Sequence, residues 1–298
     1  MVQGQSRNTH CGVGRQRFRI RRLARTLAIH AGVIVCGTAA ISCLPAQQSP
    51  LTVNAGKLPS FEVATIRQSR PGTFRQDMDE SGDRLTIQNY TVRHLIREAY
   101  GLKSDSQILG GPDWIDKQGF DITAKVDDDE AARMDKMTDD QGDHEWDLML
   151  QSLLADRFQL KTAQGNRPLP IFALVVSRSG AKIKHTPVKG ATGAGGDPGI
   201  EIHWGELTAN AATMDSFADV LTGMRDMSNR VVVNRTGLAG NFDFQLDWAR
   251  DRGDGASQDS PYPGLFTALQ EQLGLRLKPD KATVQVVIVE SVSPPTVN

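Results

Sequence analysis

The sequence predicts an α+β protein of two related β-α-β-β-α-β-like modules from an internal duplication, with mixed sheets and helices packed on them. Three observations carry that expectation. The stretch from Leu85 to Asp121 returns, at an offset of about 122 residues, from Leu207 to Asp243, and repetition at a fixed spacing outranks any local motif. Apolar residues alternate with period two in some segments and fall at i, i+3, i+4 and i+7 in others. Glycine and proline punctuate the junctions.

A leading strand is expected at Phe61-Glu62-Val63-Ala64-Thr65-Ile66. The first repeated unit opens on a strand from Leu85 to Gln88, the second on one from Glu206 to Ala209, and a helix follows in each. Thr91 and Thr213 are the expected N-caps, because a side-chain oxygen there can accept from the free amides of the first turn. Behind them Val92, Leu95, Ile96 and Ala99, and Met214, Phe217, Ala218 and Leu221, each paint one apolar stripe. Turn chemistry comes next: Gly110-Gly111-Pro112-Asp113-Trp114 in one unit, Asn234-Arg235-Thr236-Gly237 after Val231-Val232-Val233 in the other. Alternating strands follow at Phe120 to Ala124 and Phe242 to Trp248. Acidic linkers from Asp127 and from Asp251 lead to second helices, with Trp146, Leu150, Leu153, Leu154 and Phe158 answering to Leu265, Ala268, Leu269 and Leu273. The closing strands are Ile171 to Val176 and Val284 to Val289. The second is almost wholly apolar, which predicts a central strand covered on both faces.

The resulting organisation is an export signal over 1–46, a flexible leader over 47–60, a first module over 61–186, a Gly- and Pro-rich linker over 187–200, a second module over 201–292 and a tail over 293–298. The signal is inferred from Arg15, Arg17, Arg19, Arg21, Arg22 and Arg25, the mostly apolar run from Leu27 to Leu44, and Pro45-Ala46-Gln47-Gln48 after it. The protein is therefore expected in the periplasm or outside the cell. Ala40-Ile41-Ser42 before Cys43 loosely resembles a lipidation box, which makes Cys43 the acceptor in a lipid-anchored variant. Cys11, Cys36 and Cys43 are the only cysteines, so cleavage past Ala46 leaves no thiol for a disulfide, a nucleophile or a zinc site.

Charge narrows the partners. The first fifty residues hold seven of the 34 basic residues and no acidic ones, which leaves 27 basic against 35 acidic residues, a balance of −8. That balance argues against nonspecific nucleic-acid binding, which needs a basic surface to release counterions. No apolar run after the signal is long enough to cross a bilayer.

Reactive motifs are sparse. Ser179-Gly180-Ala181-Lys182 matches a Ser-x-x-Lys pattern, but it follows a strand at a turn and lacks the partner Ser-Asp-Asn and Lys-Thr-Gly motifs. The glycines from Gly190 to Gly196 lack the helix and Lys-Ser or Lys-Thr of a phosphate loop. His94 falls on the polar side of its helix as a solvated residue. His144 among Asp139, Asp140, Asp143, Glu145 and Asp147 does not reproduce a calcium-loop spacing, and a solvated acidic linker is expected there. Asp121 and Asp243 occupy equivalent positions and are read as structural. Trp114 with Asp113, and Trp204 before the second unit, are the ligand-binding candidates, because a ring on a turn can stack on a sugar or clamp a peptide; the competing expectation is that both rings plug their cores. No catalytic residue, metal site or cofactor is expected.

Several stretches, taken in order, resemble a family of exported soil-bacterial proteins known as domain of unknown function 3738. They are Phe61 to Ile66, Asn89-Tyr90-Thr91, Ala99-Tyr100-Gly101-Leu102, Gly111-Pro112-Asp113-Trp114, Phe120 to Ala124, Leu153-Leu154-Ala155-Asp156-Arg157-Phe158, Thr236 to Asp243 and Phe266 to Leu275. The resemblance implies an extracytoplasmic location, and that some relatives carry the module on membrane metallopeptidases of the antibiotic-sensor type. It implies no catalytic residues. The expected function is thus a noncatalytic module that binds or docks to an envelope partner or an extracellular ligand. The alternatives are a hydrolase of cell-wall or extracellular polymer and an accessory or sensory domain of an envelope complex.

Overall fold

The computed structural model describes residues 58–186, 199–203, 205–249 and 261–295. The expected export signal, Cys43, Trp204, most of the glycine-rich linker and most of the second acidic segment lie outside the described residues.

Alternating segments become strands and periodic ones helices. β1 (Val63–Gln68), β2 (Asp77–Ser81) and β3 (Arg84–Thr91) lead into α1 (Val92–Ala99). The short β4 (Ile108–Gly110) and the one-turn α2 (Trp114–Lys117) precede β5 (Gly119–Lys125). Two helices, α3 (Asp128–Met134) and α4 (Asp139–Arg157), deliver the long β6 (Lys161–Val176). The second half runs β7 (Lys184–Thr186), β8 (Gly199–His203), β9 (Glu206–Ala212), α5 (Met214–Thr222), β10 (Val232–Asn234), β11 (Asn241–Asp247), α6 (Leu265–Gln272) and β12 (Leu275–Ser291).

Both predicted caps form. The Thr91 hydroxyl accepts from the His94 amide at 3.3 Å and the Thr213 hydroxyl from the Ser216 amide at 3.1 Å, and all eight residues of the two apolar stripes are buried. The first acidic segment departs from expectation. In place of a linker it forms α3 and the opening of α4: the Asp127 side chain accepts from the Asp129 amide, and Thr138 with Gln141 makes a reciprocal capping box. Carboxylates in a first helical turn face the partial positive charge of the free amides, so the composition that suggested a solvated loop in fact favours two helix starts.

The strands make three four-stranded sheets, β1-β5-β3-β2, β10-β6-β12-β4 and β7-β11-β9-β8. The first and last are antiparallel throughout. In the remaining sheet β4 pairs in parallel with β12, Ile108 opposite Val287, and β10 pairs in parallel with β6, Val232 opposite Phe172. The closing strand of each sequence half therefore takes its outer neighbour from the other half. Val286 and Val287 on the inner strand β12 are fully buried, in keeping with the expected central strand. Among the described residues one compact unit takes the chain through 175, then 221–235 and the residues from 277 onward; the other takes 176–220 and 236–276. This division cuts across the serial modules 61–186 and 201–292, because ladder bonds tie β10 and β12 to β6 and β4.

In the first of these units one face of the β1-β5-β3-β2 sheet, through Ile66, Leu85, Ile87 and Ile122, packs with the α1 stripe and with Met149, Leu150 and Leu154 of α4. At about 1.5–3 kcal/mol for each large aliphatic side chain removed from water, this layer is the main source of that unit's stability. Phe120 of β5 stands edge-on to Phe158 at 5.2 Å and to Trp114 at 6.5 Å.

Candidate functional site

The two equivalent aspartates serve the backbone. β3 carries a bulge in which Gln88 and Asn89 oppose the single residue Asp121 of β5, and the Asn89 amide donates to Asp121 Oδ1 at 2.9 Å. β9 carries the same irregularity: Asn210 and Ala211 oppose Asp243 of β11, and the Ala211 amide donates to Asp243 Oδ1 at 2.7 Å. A bulge leaves an amide without a ladder partner, and the carboxylate supplies one. The Ser69 hydroxyl also donates to Asp121, at 2.6 Å. The Ala211 amide holds the Asp243 carboxyl below the usual carboxylate range.

His94 is not solvated as expected. Its side chain is 22% exposed, with Nε2 at 3.3 Å from Asp105 and Nδ1 at 3.1 Å from the Gln76 amide nitrogen. Arg97 completes the cluster, reaching Asp105 at 3.2 Å and Glu98 at 3.0 Å. Burial pushes the Asp105 carboxyl up, but the His94 hydrogen bond and the Arg97 charge outweigh it and hold the group below its ordinary value. With both ring nitrogens engaged, His94 ties α1 to the turn at Asp105 and to the approach of β2.

Trp114 and Asp113 face different surroundings. The Trp114 ring is half-buried and packed on the core beside Phe120, whereas the Asp113 carboxylate is 91% exposed and pairs with Lys117 at 3.1 Å. Among the described residues no three His, Cys, Asp or Glu side chains converge as metal ligands, and no helix is long and apolar enough to cross a membrane.

A cleft of about 500 Å³ is lined by Ser177, Arg178, Ser179, Gln270 and Arg276. β6 ends at Val176 and the chain turns, with the Gly180 amide donating to the Ser177 carbonyl at 3.1 Å. This loop lies against the turn after α6: the Ser177 amide donates to the Gly274 carbonyl and the Lys182 amide to the Leu273 carbonyl, both at 2.8 Å. Gly274 has φ +65°, and a Cβ there would overlap the Gly180 carbonyl oxygen, so glycine alone permits the approach that forms the cleft wall. Ser177 and Ser179 share a hydroxyl contact of 2.7 Å. Lys182 Nζ donates to the Glu271 carbonyl at 2.7 Å, which commits the ammonium and offsets the negative end of α6. Arg178, Gln270 and Arg276 are exposed, and their side chains have no partner among the described residues. Among the described residues the lining thus holds two guanidinium groups and no carboxylate. A second, smaller cleft of about 300 Å³, on the open face of the first sheet, is lined by Thr65, Arg67, Asp121 and Thr123, and there Asp121 opposes Arg67 across the strands.

The Ser-x-x-Lys match singles out Ser179 and Lys182 only as a pattern set aside on its context, and nothing in the sequence singles out Arg178, Gln270 and Arg276. What signal there was is slight: Ser-Arg-Ser at a strand end, followed by glycine, in a stretch without acidic residues.

No curated protein and no solved structure matches the chain. The profile of the family described as protein of unknown function (DUF3738) matches residues 93–292, from the first turn of α1 to just past β12. It takes in all the stretches from Ala99 to Leu275 that carried the resemblance, and the chain belongs to that family.

Proposed function

We propose that the protein is a noncatalytic binding or docking module that works outside the cytoplasm, in the periplasm or beyond, with an envelope partner or extracellular ligand. One contrast carries the reading. Asp121, Asp243, His94 and Asp105, the groups best placed by type for acid–base work, spend their hydrogen bonds on bulges and loop ties, while the cleft at Ser177 gathers polar groups that the fold leaves unused. A nucleophile, base and orienter within reach of one reacting atom would be the mark of an enzyme. The Arg-rich, then apolar, first 46 residues support export. The recurrence of the bulge, its opposed aspartate and the capped helix behind it supports a doubled ancestral element.

The test is a thermal-shift screen against muropeptides, neutral glycans and metal ions, run beside an assay for cleavage of cell-wall polymer. A ligand that binds the native state above its dissociation constant raises the melting temperature. A rise without turnover is the expected result. Turnover that disappears on substitution of a carboxylate would replace this reading with the hydrolase.

A further inference from the structure

We infer that the cleft between the Ser177–Gly180 turn and the end of α6 is an oxyanion site that takes a terminal carboxylate or phosphate of a larger ligand. The inference rests on the binding-module reading and gives that module its ligand chemistry.

The charge of the lining comes first. Arg178 and Arg276 bring two guanidinium forks, and among the described lining residues no carboxylate neutralises them. A guanidinium presents parallel N–H donors that match two oxygens of a carboxylate or phosphate. The hydroxyl pair adds to this. Among the described residues Ser177 and Ser179 have only each other as side-chain partners. Whichever donates, the other retains a proton with no acceptor among the described residues. Gln270 contributes a further amide donor. Donors therefore exceed acceptors in the cleft, which suits an oxyanion and disfavours a metal cation.

Rigidity comes from the backbone. The Ser177 and Lys182 amides fasten both ends of the turn to Leu273 and Gly274, so the backbone carrying the serines and Arg178 is fixed before a ligand arrives. The volume falls within the range of small-ligand sites, yet the arginines and Ser179 are exposed. Such a site grips one charged end and leaves the rest of the ligand outside, and its affinity must fall as salt screens the exposed charges.

The experiment is calorimetric titration of the full chain at low salt with inorganic phosphate, glycerol 3-phosphate and N-acetyl-alanyl-alanine. Saturable binding of at least one probe is expected, and the probe that binds best separates a phosphate from a carboxylate source. The double variant Arg178→Gln/Arg276→Gln should bind that probe about tenfold or more weakly, with its unliganded melting temperature unchanged. Arg70→Gln/Arg75→Gln, which removes the same charge from the loop before β2, should bind as the wild type does. The inference is overturned if the cleft variant binds as tightly as wild type, if the loop variant loses as much, or if no probe binds at about 10 mM, a concentration at which even millimolar sites register. A glycan or metal ion that raises the melting temperature equally in wild type and cleft variant would sink the oxyanion site and leave the binding module standing.

Discussion

The bulges of the first and last sheets use one backbone device with different side chains. In each, two residues of one strand face one aspartate of its neighbour, and the aspartate accepts the stranded amide. In each, the donor residue lies in the left-handed region, Asn89 at φ +55° and Ala211 at +46°. Asn89 suits that conformation, and its carboxamide donates to the Thr73 carbonyl at 2.7 Å. Ala211 has no such help. The difference extends to the facing strand: a Cβ on Gly119 would overlap the Asn89 carboxamide, whereas Asn241 stands at the matching position of β11. A small residue on one strand relieves its neighbour of the need for glycine. The backbone path and the aspartate recur; the side chains around them vary in compensating pairs.

Four sets of substitutions break or sharpen that comparison. The largest effect belongs to the aromatic residues just before the two aspartates. Phe120→Ala should cost about 3–5 kcal/mol and Phe242→Ala nearer the lower end, as large-to-small core changes do. Phe120 has Trp114 and Phe158 edge-on to it, against, among the described residues, His185 at 5.4 Å for Phe242. Chemical denaturation reads both, and equal losses would erase the distinction.

Next come the aspartates. Asp121→Ala and Asp243→Ala each strand an amide, at about 1–2 kcal/mol. Asp243→Asn keeps an acceptor oxygen and should cost less. Because the folded Asp243 carboxyl titrates below its ordinary value, its contribution is complete above the unfolded pKa of about 4 and fades as pH falls through the lowered folded value. Asp243→Asn should therefore flatten the loss of stability on the acid side of that window, measured by urea melts across pH.

Ala211→Gly should stabilise by up to about 1 kcal/mol, since it lifts the left-handed penalty of an L side chain. Asn89→Ala should destabilise by a similar amount. Gly119→Ala should be harmful alone and tolerated beside Asn89→Ala. Additive costs in that double-mutant cycle would refute the proposed compensation. The smallest effects are those of Thr91→Ala and Thr213→Ala, about 0.5–1 kcal/mol each for a lost cap, read from melting curves.

Much of this was legible in the chain. The caps Thr91 and Thr213, the two helical stripes and the alternation of β5 and β11 appear in the structure where periodicity put them. α3 was not legible, because a run of acidic residues reads equally as a solvated loop or a well-charged helix start, and only the Asp127 and Thr138 caps decide. β4 and β10 are three residues each, too short for period two to register. In the candidate site Ser179 drew notice, but for Ser-x-x-Lys chemistry. Arg178 and Arg276 carry no local mark of a shared cleft, since nearly a hundred residues separate them.

Taken alone, then, the sequence determined the main helices and strands, where α1 and α5 begin, and which face of those two helices is buried. Those properties arise between residues a few positions apart, where spacing and side-chain type act directly. Tertiary structure alone decided that β4 joins β12, that β10 joins β6, and that a turn near Ser177 meets a turn near Gly274. Ladder hydrogen bonds join backbone to backbone and carry little side-chain identity, so partners are chosen by whichever arrangement buries the apolar faces of the whole chain at once.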